Sequence, residues 1–226
     1  TAVDELNYAF VISGFDYLNS LESFRNGLFY VQDVSSMMVA EYAKPEHGDH
    51  VIDICAAPGG KSTHIAELLN GSGFVEARDL TDYKVSLIEE NINRHGLSNM
   101  GAVCMDATVF DEASVEKADI LICDLPCSGL GVLGRKKDIR YKMTEQSLDG
   151  LAELQKEILD TVHTYVRKGK KLIYSTCTMN PAENEENVRW FINRYPEFEL
   201  ETSKQMFPKE IGNDGFFIAV LKRNGR

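Results

Sequence analysis

The sequence lacks a long apolar run and a secretory signal. No stretch of its 226 residues approaches the roughly 20 apolar residues that cross a bilayer. The first ten residues, TAVDELNYAF, have no basic segment of the kind that opens a signal peptide. We therefore expect a cytoplasmic protein with no membrane partner, and we expect it to be a monomer.

Cysteine pairs of the CxxC type and histidine pairs of the HExxH type are also missing. The five cysteines are odd in number, and their spacings match neither a disulfide framework nor a four-ligand zinc site. We expect reduced thiols and no metal. Cys104 and Cys123 are predicted to be small buried hydrophobic residues.

Basic residues are few. The chain has 24 Lys and Arg against 35 Asp and Glu, which gives a net charge of −11. Binding to phosphates favours a basic surface, so this balance argues against a nucleic-acid partner.

What the sequence does contain, from about Val31 onward, is a regular exchange of short apolar runs and amphipathic segments, which is typical of an α/β sheet protein. The predicted strands are Val51–Cys55, Gly73–Asp79, Ala118–Asp124, Lys170–Thr176 and Phe216–Lys222. The predicted helices are Lys61–Leu69, Thr81–His95, residues 145–167 and one that starts at Asn180-Pro181. The β-α-β-α-β order predicts a doubly wound sheet whose ligand lies outside the carboxyl ends of its strands.

The segment DICAAPGGKST, residues 53–63, carries the clearest ligand signal. A strand, a glycine-containing turn and a helix start can hold a nucleotide-like ligand on backbone N–H groups. A P-loop is one interpretation, but it needs glycine five residues before Gly60, where this chain has Cys55. The other is a cofactor with a ribose and no phosphate, such as S-adenosylmethionine. Asp79 stands where an acid would take the ribose hydroxyls, and Asp106 could accept a hydrogen bond from the adenine amino group.

Two cysteines follow neighbouring strands. Cys127 lies in DLPCSG and Cys177 in STCT, so both thiols are expected at the rim that faces the cofactor. A thiolate that adds to C6 of cytosine makes C5 able to accept a methyl group, and a second thiol could assist release. Asp124 could stabilise the charge that develops at the N3/N4 edge of the base. The residues alone leave open which thiol attacks.

At this point the chain resembles the RsmB/Sun (Nol1/Nop2/Sun) family of RNA 5-methylcytosine methyltransferases. The matching segments are VQDVSS (Val31–Ser36), DICAAPGGK (Asp53–Lys61), Asp79 followed by NINRHG (Asn91–Gly96), DLPCSG (Asp124–Gly129), GRKKDIR (Gly134–Arg140), YSTCT (Tyr174–Thr178), NPAENE (Asn180–Glu185) and DGFF (Asp214–Phe217). One departure is Lys137, where many relatives have proline.

The resemblance implies a Rossmann-like class I methyltransferase sheet, mostly parallel with an antiparallel C-terminal strand. It implies that Cys177 is the nucleophile and Cys127 assists release, with Asp124 and Lys61 near the target cytosine. DNA cytosine-5 methyltransferases attack instead with a cysteine placed as Cys127 is, so the assignment rests on the family. The implied residues of the S-adenosylmethionine site are Cys55, Ala56, Ala57, Pro58, Gly59, Gly60, Lys61, Asp79, Asp106 and Asp124.

An RNA partner needs a local basic surface. The segment GRKKDIRYK, residues 134–142, has five basic residues and one acid, a local charge of 5 − 1 = +4. The residues predicted to bind RNA phosphates are Arg135, Lys136, Lys137, Arg140 and Lys142. A second basic run, Arg167–Lys171, is attributed to the C-terminus of the helix before it.

We expect residues 31–226 to be the catalytic domain and residues 1–30 a lead-in, the end of a truncated RNA-binding region. RNA affinity of this chain alone is then expected to be weak. The segment GLFYVQDVSS and the compact spacing favour 16S rRNA as the substrate, with transfer RNA and large-subunit rRNA as alternatives. The rival from another class is a catalytically silent RNA-binding ribosome-assembly factor with the same fold.

Overall fold

A computed structural model gives the fold and describes residues 2–3, 6–208 and 213–225. The strands are β1 (Ala2–Val3), β2 (Leu6–Phe10), β3 (His50–Asp53), β4 (Phe74–Asp79), β5 (Met100–Cys104), β6 (Ala118–Asp124), β7 (Val166–Thr176), β8 (Phe198–Met206) and β9 (Phe216–Arg223). The helices are α1 (Glu22–Arg25), α2 (Val34–Ala43), α3 (Gly60–Leu68), α4 (Asp82–His95), α5 (Ile139–Lys142), α6 (Glu145–Val162) and α7 (Glu185–Arg194).

Seven of the described strands form one sheet in the order β5-β4-β3-β6-β7-β9-β8. The pairs from β5 to β7 are parallel, and β9 is antiparallel to both of its neighbours. The doubly wound, mostly parallel sheet with an antiparallel C-terminal strand is therefore confirmed. Because β9 is reversed, its first residues lie at the same rim as the carboxyl ends of β3, β4, β6 and β7.

The central strand β6 shows why the sheet is covered on both faces. Its sequence ADILICD has no polar residue between Asp119 and Asp124, as expected of a strand buried on both sides. Leu121 and Cys123 pack toward Ile158 and Phe191 in one apolar cluster. Ile120 and Ile122 belong to the other, which includes residues of α2, α3 and α4. The core thus consists of two layers, one on each face.

The boundary between α6 and β7 differs from the prediction. The expected helix 145–167 ends at Val162, a 3-10 turn covers His163–Tyr165, and β7 already begins at Val166. Tyr165 and Val166 are both buried, so their apolar side chains fit the helical pattern and gave no sign that the helix ends before them. The basic run Arg167–Lys171 consequently lies in a strand, where Arg167 and Lys170 form ion pairs with Asp119, and its assignment to a helix C-terminus is wrong.

Two further expectations changed. The predicted helix at Asn180-Pro181 is a 3-10 turn over Pro181–Glu183, and α7 begins at Glu185. Cys123 is fully buried as expected, but Cys104 at the end of β5 is exposed. No helix in the described part of the chain combines the length and the apolar character needed to cross a membrane.

Candidate active site

The loop between β3 and α3 is held against the next strand by its backbone. The Ala56 N–H donates to the carbonyl of Arg78 at 2.8 Å, and the Ala57 N–H donates to Asp79 Oδ2 at 2.9 Å. Gly59 has a φ of 104°, a conformation that residues with a side chain rarely adopt, and it precedes the first residue of α3. The loop Cys55–Lys61 therefore brings the N-terminus of α3 to the rim where anionic or polar ligand groups are stabilised.

Asp79 and Asp106 differ in how they are fixed. Asp79 is 3% exposed and also accepts from Leu80 N–H and from Lys84 Nζ, which leaves it one acceptor position of about four. Asp106 is exposed and lies two residues beyond β5. It accepts from the backbone and side chain of Thr108, which lowers the pKa of its carboxyl. Both acids lie at the predicted rim, and their contacts with a cofactor stay predictions.

Asp53, the last residue of β3, is not among the site residues predicted from the sequence. Its Oδ2 accepts from the Ser62 hydroxyl at 2.6 Å, and its Oδ1 is buried with no partner. Burial raises the pKa of Asp53 to about 7, against the lowering effect of Ser62. A buried polar atom without a partner under the loop is a position where a bound ligand can add a hydrogen bond.

The two predicted thiols lie together. The Sγ atoms of Cys127 and Cys177 are 3.1 Å apart, and Cys127 Sγ accepts from the Cys177 backbone N–H at 3.2 Å. The parallel register explains this, because Asp124 of β6 stands opposite Ser175 of β7 and both chains leave the sheet at the same level. The expectation that both thiols share one rim is met.

The surroundings of the two thiols shift their pKa values in opposite directions. The hydrogen bond from Cys127, supported by the charge of Lys61, lowers the pKa of Cys177 despite burial and the charge of Asp124. The same hydrogen bond and burial raise the pKa of Cys127 well above the ordinary thiol value. A Cys127 thiol that accepts from the Cys177 N–H still has its hydrogen free to point at Cys177 Sγ. The arrangement favours a thiolate on Cys177 and a neutral thiol on Cys127.

Lys61 and Asp124 form a partly buried ion pair beside the thiols. Their Nζ and Oδ2 atoms are 2.6 Å apart, and the Ser175 hydroxyl donates to Asp124 Oδ1 at 2.7 Å. Burial opposes the charge on Lys61, but Asp124 raises the pKa of the lysine above its usual value. Lys61 Nζ also lies 5.4 Å from the centre of the Phe216 ring, in the DGFF segment. A fixed cation and a carboxylate next to a thiolate can stabilise charge on a heterocyclic base.

Gly131 makes the closest backbone approach in this region. Its N–H donates to the carbonyl of Cys177 and its carbonyl accepts from Gly215 N–H. A Cβ at position 131 would lie 2.0 Å from the Gly215 oxygen and 2.8 Å from the Cys177 oxygen. Only glycine therefore allows the loops that carry Cys127, Cys177 and Asp214 to pack together.

The basic segment is only partly available to a phosphate. Arg135 forms ion pairs with Asp33, at 3.1 Å, and with Asp214, so it joins three segments of the rim. Lys136, Lys137 and Arg140 are exposed. The side chain of Lys142 lies outside what the structure describes. Tyr141, which is 85% exposed, adds an aromatic face to the segment.

These features define a class, a methyltransferase domain with a Rossmann-like fold and paired thiols. A solved structure of the same architecture is that of NSun6 from Pyrococcus horikoshii with SFG, an analogue of S-adenosylmethionine. Its TM-score is 0.85 at 34% identity, over 94% of this chain and 57% of that one.

A family profile identifies the chain further. Residues 40–222 match the family described as 16S rRNA methyltransferase RsmB/F, and the chain belongs to that family. It is 41% identical over 220 residues to a probable ribosomal RNA small subunit methyltransferase B of Bacillus subtilis, covering 89% of this chain and 49% of the relative. It is 34% identical to a tRNA (cytosine(72)-C(5))-methyltransferase of Pyrococcus horikoshii, covering 91% and 55%. The chain thus spans about half the length of the curated relatives it matches.

Proposed function

We propose that this chain transfers a methyl group from S-adenosylmethionine to C5 of a cytosine in RNA. The observation that carries the proposal is the thiol pair, with 3.1 Å between the sulfur atoms, beside the loop of residues 55–61. The pairing of one thiol of lowered pKa with one of raised pKa suits a nucleophile and a proton carrier.

The cofactor would be held by the loop Cys55–Lys61 with Asp79, Asp106 and Asp124, and it supplies an electrophilic methyl group when bound. The buried Oδ1 of Asp53, which has no hydrogen-bond partner, and the N-terminus of α3 fit a ligand that carries polar groups.

The chain's own residues would act on the base in sequence. Cys177 forms a bond from Sγ to C6, which moves the electron pair of the C5–C6 double bond toward C5. Lys61 and Asp124 stabilise the charge that this addition spreads to the N3/N4 edge. After methyl transfer the C5 proton passes to a base, a role that Cys127 would fill once its thiol has lost its own proton. The C5–H electron pair then reforms the C5–C6 double bond, and the Cys177–C6 bond breaks to return the Cys177 thiolate. The target base has to be unstacked to reach Cys177.

We propose 16S rRNA as the substrate, a monomeric enzyme and a cytoplasmic location. The family's description and the Bacillus subtilis relative support ribosomal RNA, whereas the Pyrococcus horikoshii relative acts on tRNA. The exposed residues Lys136, Lys137 and Arg140, with Tyr141, would contact the phosphate backbone and an unstacked base. Residues 31–226 would form the catalytic domain, with residues 1–30 a lead-in belonging to an RNA-binding region.

The test is methyl transfer from labelled S-adenosylmethionine to unmodified 16S rRNA and to unmodified tRNA, with 5-methylcytosine identified by mass spectrometry. We expect the label in 16S rRNA, no transfer by Cys177→Ala, and full transfer by Cys104→Ala, whose thiol is exposed at the end of β5. Labelling of tRNA alone would overturn the assignment of 16S rRNA as the substrate. A fully active Cys177→Ala variant would overturn the assignment of Cys177 as the nucleophile. An inert parent that still binds S-adenosylhomocysteine and RNA would support the assembly-factor alternative.

A further inference from the structure

A buried carboxylate lies near the two loops that carry the thiols. None of its hydrogen bonds in the described part of the chain involves a sulfur atom. Glu183, in the 3-10 turn before α7, is 0% exposed. Its side chain accepts from three neutral groups, namely the Ser128 backbone N–H at 2.8 Å, Gln155 Nε2 at 3.1 Å and Asn180 Nδ2 at 3.0 Å. A buried carboxylate without such donors would be strongly destabilising. The fold is therefore most stable when all three donors stay within hydrogen-bond distance of Glu183.

Two of those donors hold the loop that carries Cys127. Ser128 is the residue next to Cys127, and its N–H points at Glu183 Oε2. Gln155, on α6 and fully buried, also donates to the carbonyl of Pro126 at 2.8 Å. The residues on both sides of Cys127 are therefore tied to Glu183, one directly and one through Gln155.

The third donor holds the loop that carries Cys177. Asn180 donates to Glu183 Oε1, and its own backbone N–H donates to the Thr178 hydroxyl at 3.2 Å. The hydroxyls of Thr178 and Ser128 lie 2.8 Å apart, which closes a buried polar network between the two loops.

We propose that Glu183 is a positioning residue that sets the separation of the Cys127 and Cys177 thiols. Its consequence for methyl transfer rests on the proposed function, whereas its effect on the thiol separation does not. Glu183 reaches both loops at once, and it acts through Ser128, Gln155 and Asn180 rather than on the substrate.

The hydrogen bonds of Glu183 indicate which substitution tests its role. In Glu183→Gln the new amide oxygen can still accept from Ser128 and Gln155, but the amide NH₂ then faces the NH₂ of Asn180, and two donors oppose each other. Rotating the Asn180 amide does not help, because its oxygen accepts from the Ala182 N–H. Adding Asn180→Asp to Glu183→Gln restores an acceptor opposite every donor and returns one carboxylate to the network, at a partly buried position. Glu186→Gln, on the exposed side of α7, is the matched control.

The direct readout is the rate at which diamide joins Cys127 to Cys177. The two thiols lose two hydrogens, diamide is reduced to the hydrazide, and the sulfur atoms close from 3.1 Å to a bond of about 2.05 Å. Because misplacement by about 1 Å can cost on the order of 100-fold in an oriented reaction, we expect Glu183→Gln to form the disulfide at least about tenfold more slowly. The parent, Glu186→Gln and the double variant should agree within about threefold. Peptide mapping identifies the disulfide, and thermal unfolding verifies that each variant is folded.

Methyl transfer is measured separately on the same proteins. If the proposed function holds, Glu183→Gln lowers kcat about tenfold or more, leaves KM for S-adenosylmethionine within twofold, and is rescued by the added Asn180→Asp. If the parent transfers no methyl group, the proposed function fails, and the disulfide rates still decide the role of Glu183. A folded Glu183→Gln variant that forms the disulfide as fast as the parent would overturn the inference. So would a slow double variant that is as stable as the parent.

Discussion

Asp53 should make the stability of this protein fall as pH rises, which is the reverse of the usual behaviour of a carboxylate in a folded protein. Its pKa is about 7 in the folded chain and about 3.8 when exposed, because burial at the end of β3 opposes its charge. The protonated form is therefore the one that the fold favours. Its contribution is complete below about pH 4 and is lost as pH rises through about 7.

The magnitude follows from the difference between the two pKa values. Each pH unit between them removes about 1.4 kcal/mol, and the loss levels off above the folded pKa. From pH 5 to pH 8 the contribution of Asp53 should therefore fall by about 3 kcal/mol, out of a typical total of about 5–15 kcal/mol. Asp53→Asn removes the titration while its amide oxygen can keep the bond from the Ser62 hydroxyl.

The assay is urea unfolding of the parent and of Asp53→Asn at pH 5 and pH 8. The difference in free energy of unfolding between the two proteins should move by about 3 kcal/mol in favour of the variant, and taking this difference cancels the titration of other groups. Asp111→Asn is the control, because the hydrogen bond from the Ser114 hydroxyl lowers the pKa of Asp111 and keeps it ionised over this range. If the Asp53→Asn difference is as constant with pH as the Asp111→Asn difference, burial does not raise the pKa of Asp53.

Three further outcomes test the site. Gly131→Ala should lower the free energy of unfolding by about 1–3 kcal/mol because of its backbone clashes, whereas Gly134→Ala, with no atom within 4 Å, should change it by less than about 0.5 kcal/mol in urea unfolding; equal stabilities would contradict the close approach. Asp79→Asn should weaken S-adenosylhomocysteine binding about 10- to 100-fold in calorimetry, as expected for a lost hydrogen bond to a charged group, and an unchanged Kd would remove Asp79 from the cofactor site. Lys137→Ala should weaken RNA binding and lower the magnitude of the slope of log K against log salt by about 1. Lys168→Ala, near the other end of β7, should leave both the affinity and the slope unchanged. The opposite result would place the RNA at the other rim of the sheet.

Local sequence patterns predicted the strands that are buried on both faces, because β6 and the buried parts of β3 and β7 are mostly apolar. They did not predict β8. Among the described strands, this edge strand pairs only with β9, and most of its residues are exposed, so it shows no clear alternation. The end of α6 was also misjudged, since a buried Tyr165 fits a helix and a 3-10 turn equally well.

The sequence predicted which site residues lie at the rim, because their positions follow from the strands that they terminate or follow. Cys127 and Cys177 could be assigned to one rim from the parallel order alone, but their 3.1 Å separation depends on contacts between distant segments. Gln155 gave a signal that could have been followed, as a polar residue on the apolar face of α6. Its partner Glu183 lies 28 residues away, and no local pattern links the two.

We propose that Cys177, and not Cys127, attacks the base. This role of Cys177 is tested most directly with 16S rRNA in which every cytidine is replaced by 5-fluorocytidine. Release requires loss of the proton at C5, and fluorine at that position blocks it, so the attacking cysteine stays bonded to the RNA. After digestion, mass spectrometry of the parent protein should find the nucleotide on the peptide that contains Cys177. A nucleotide on the peptide that contains Cys127 would contradict the account.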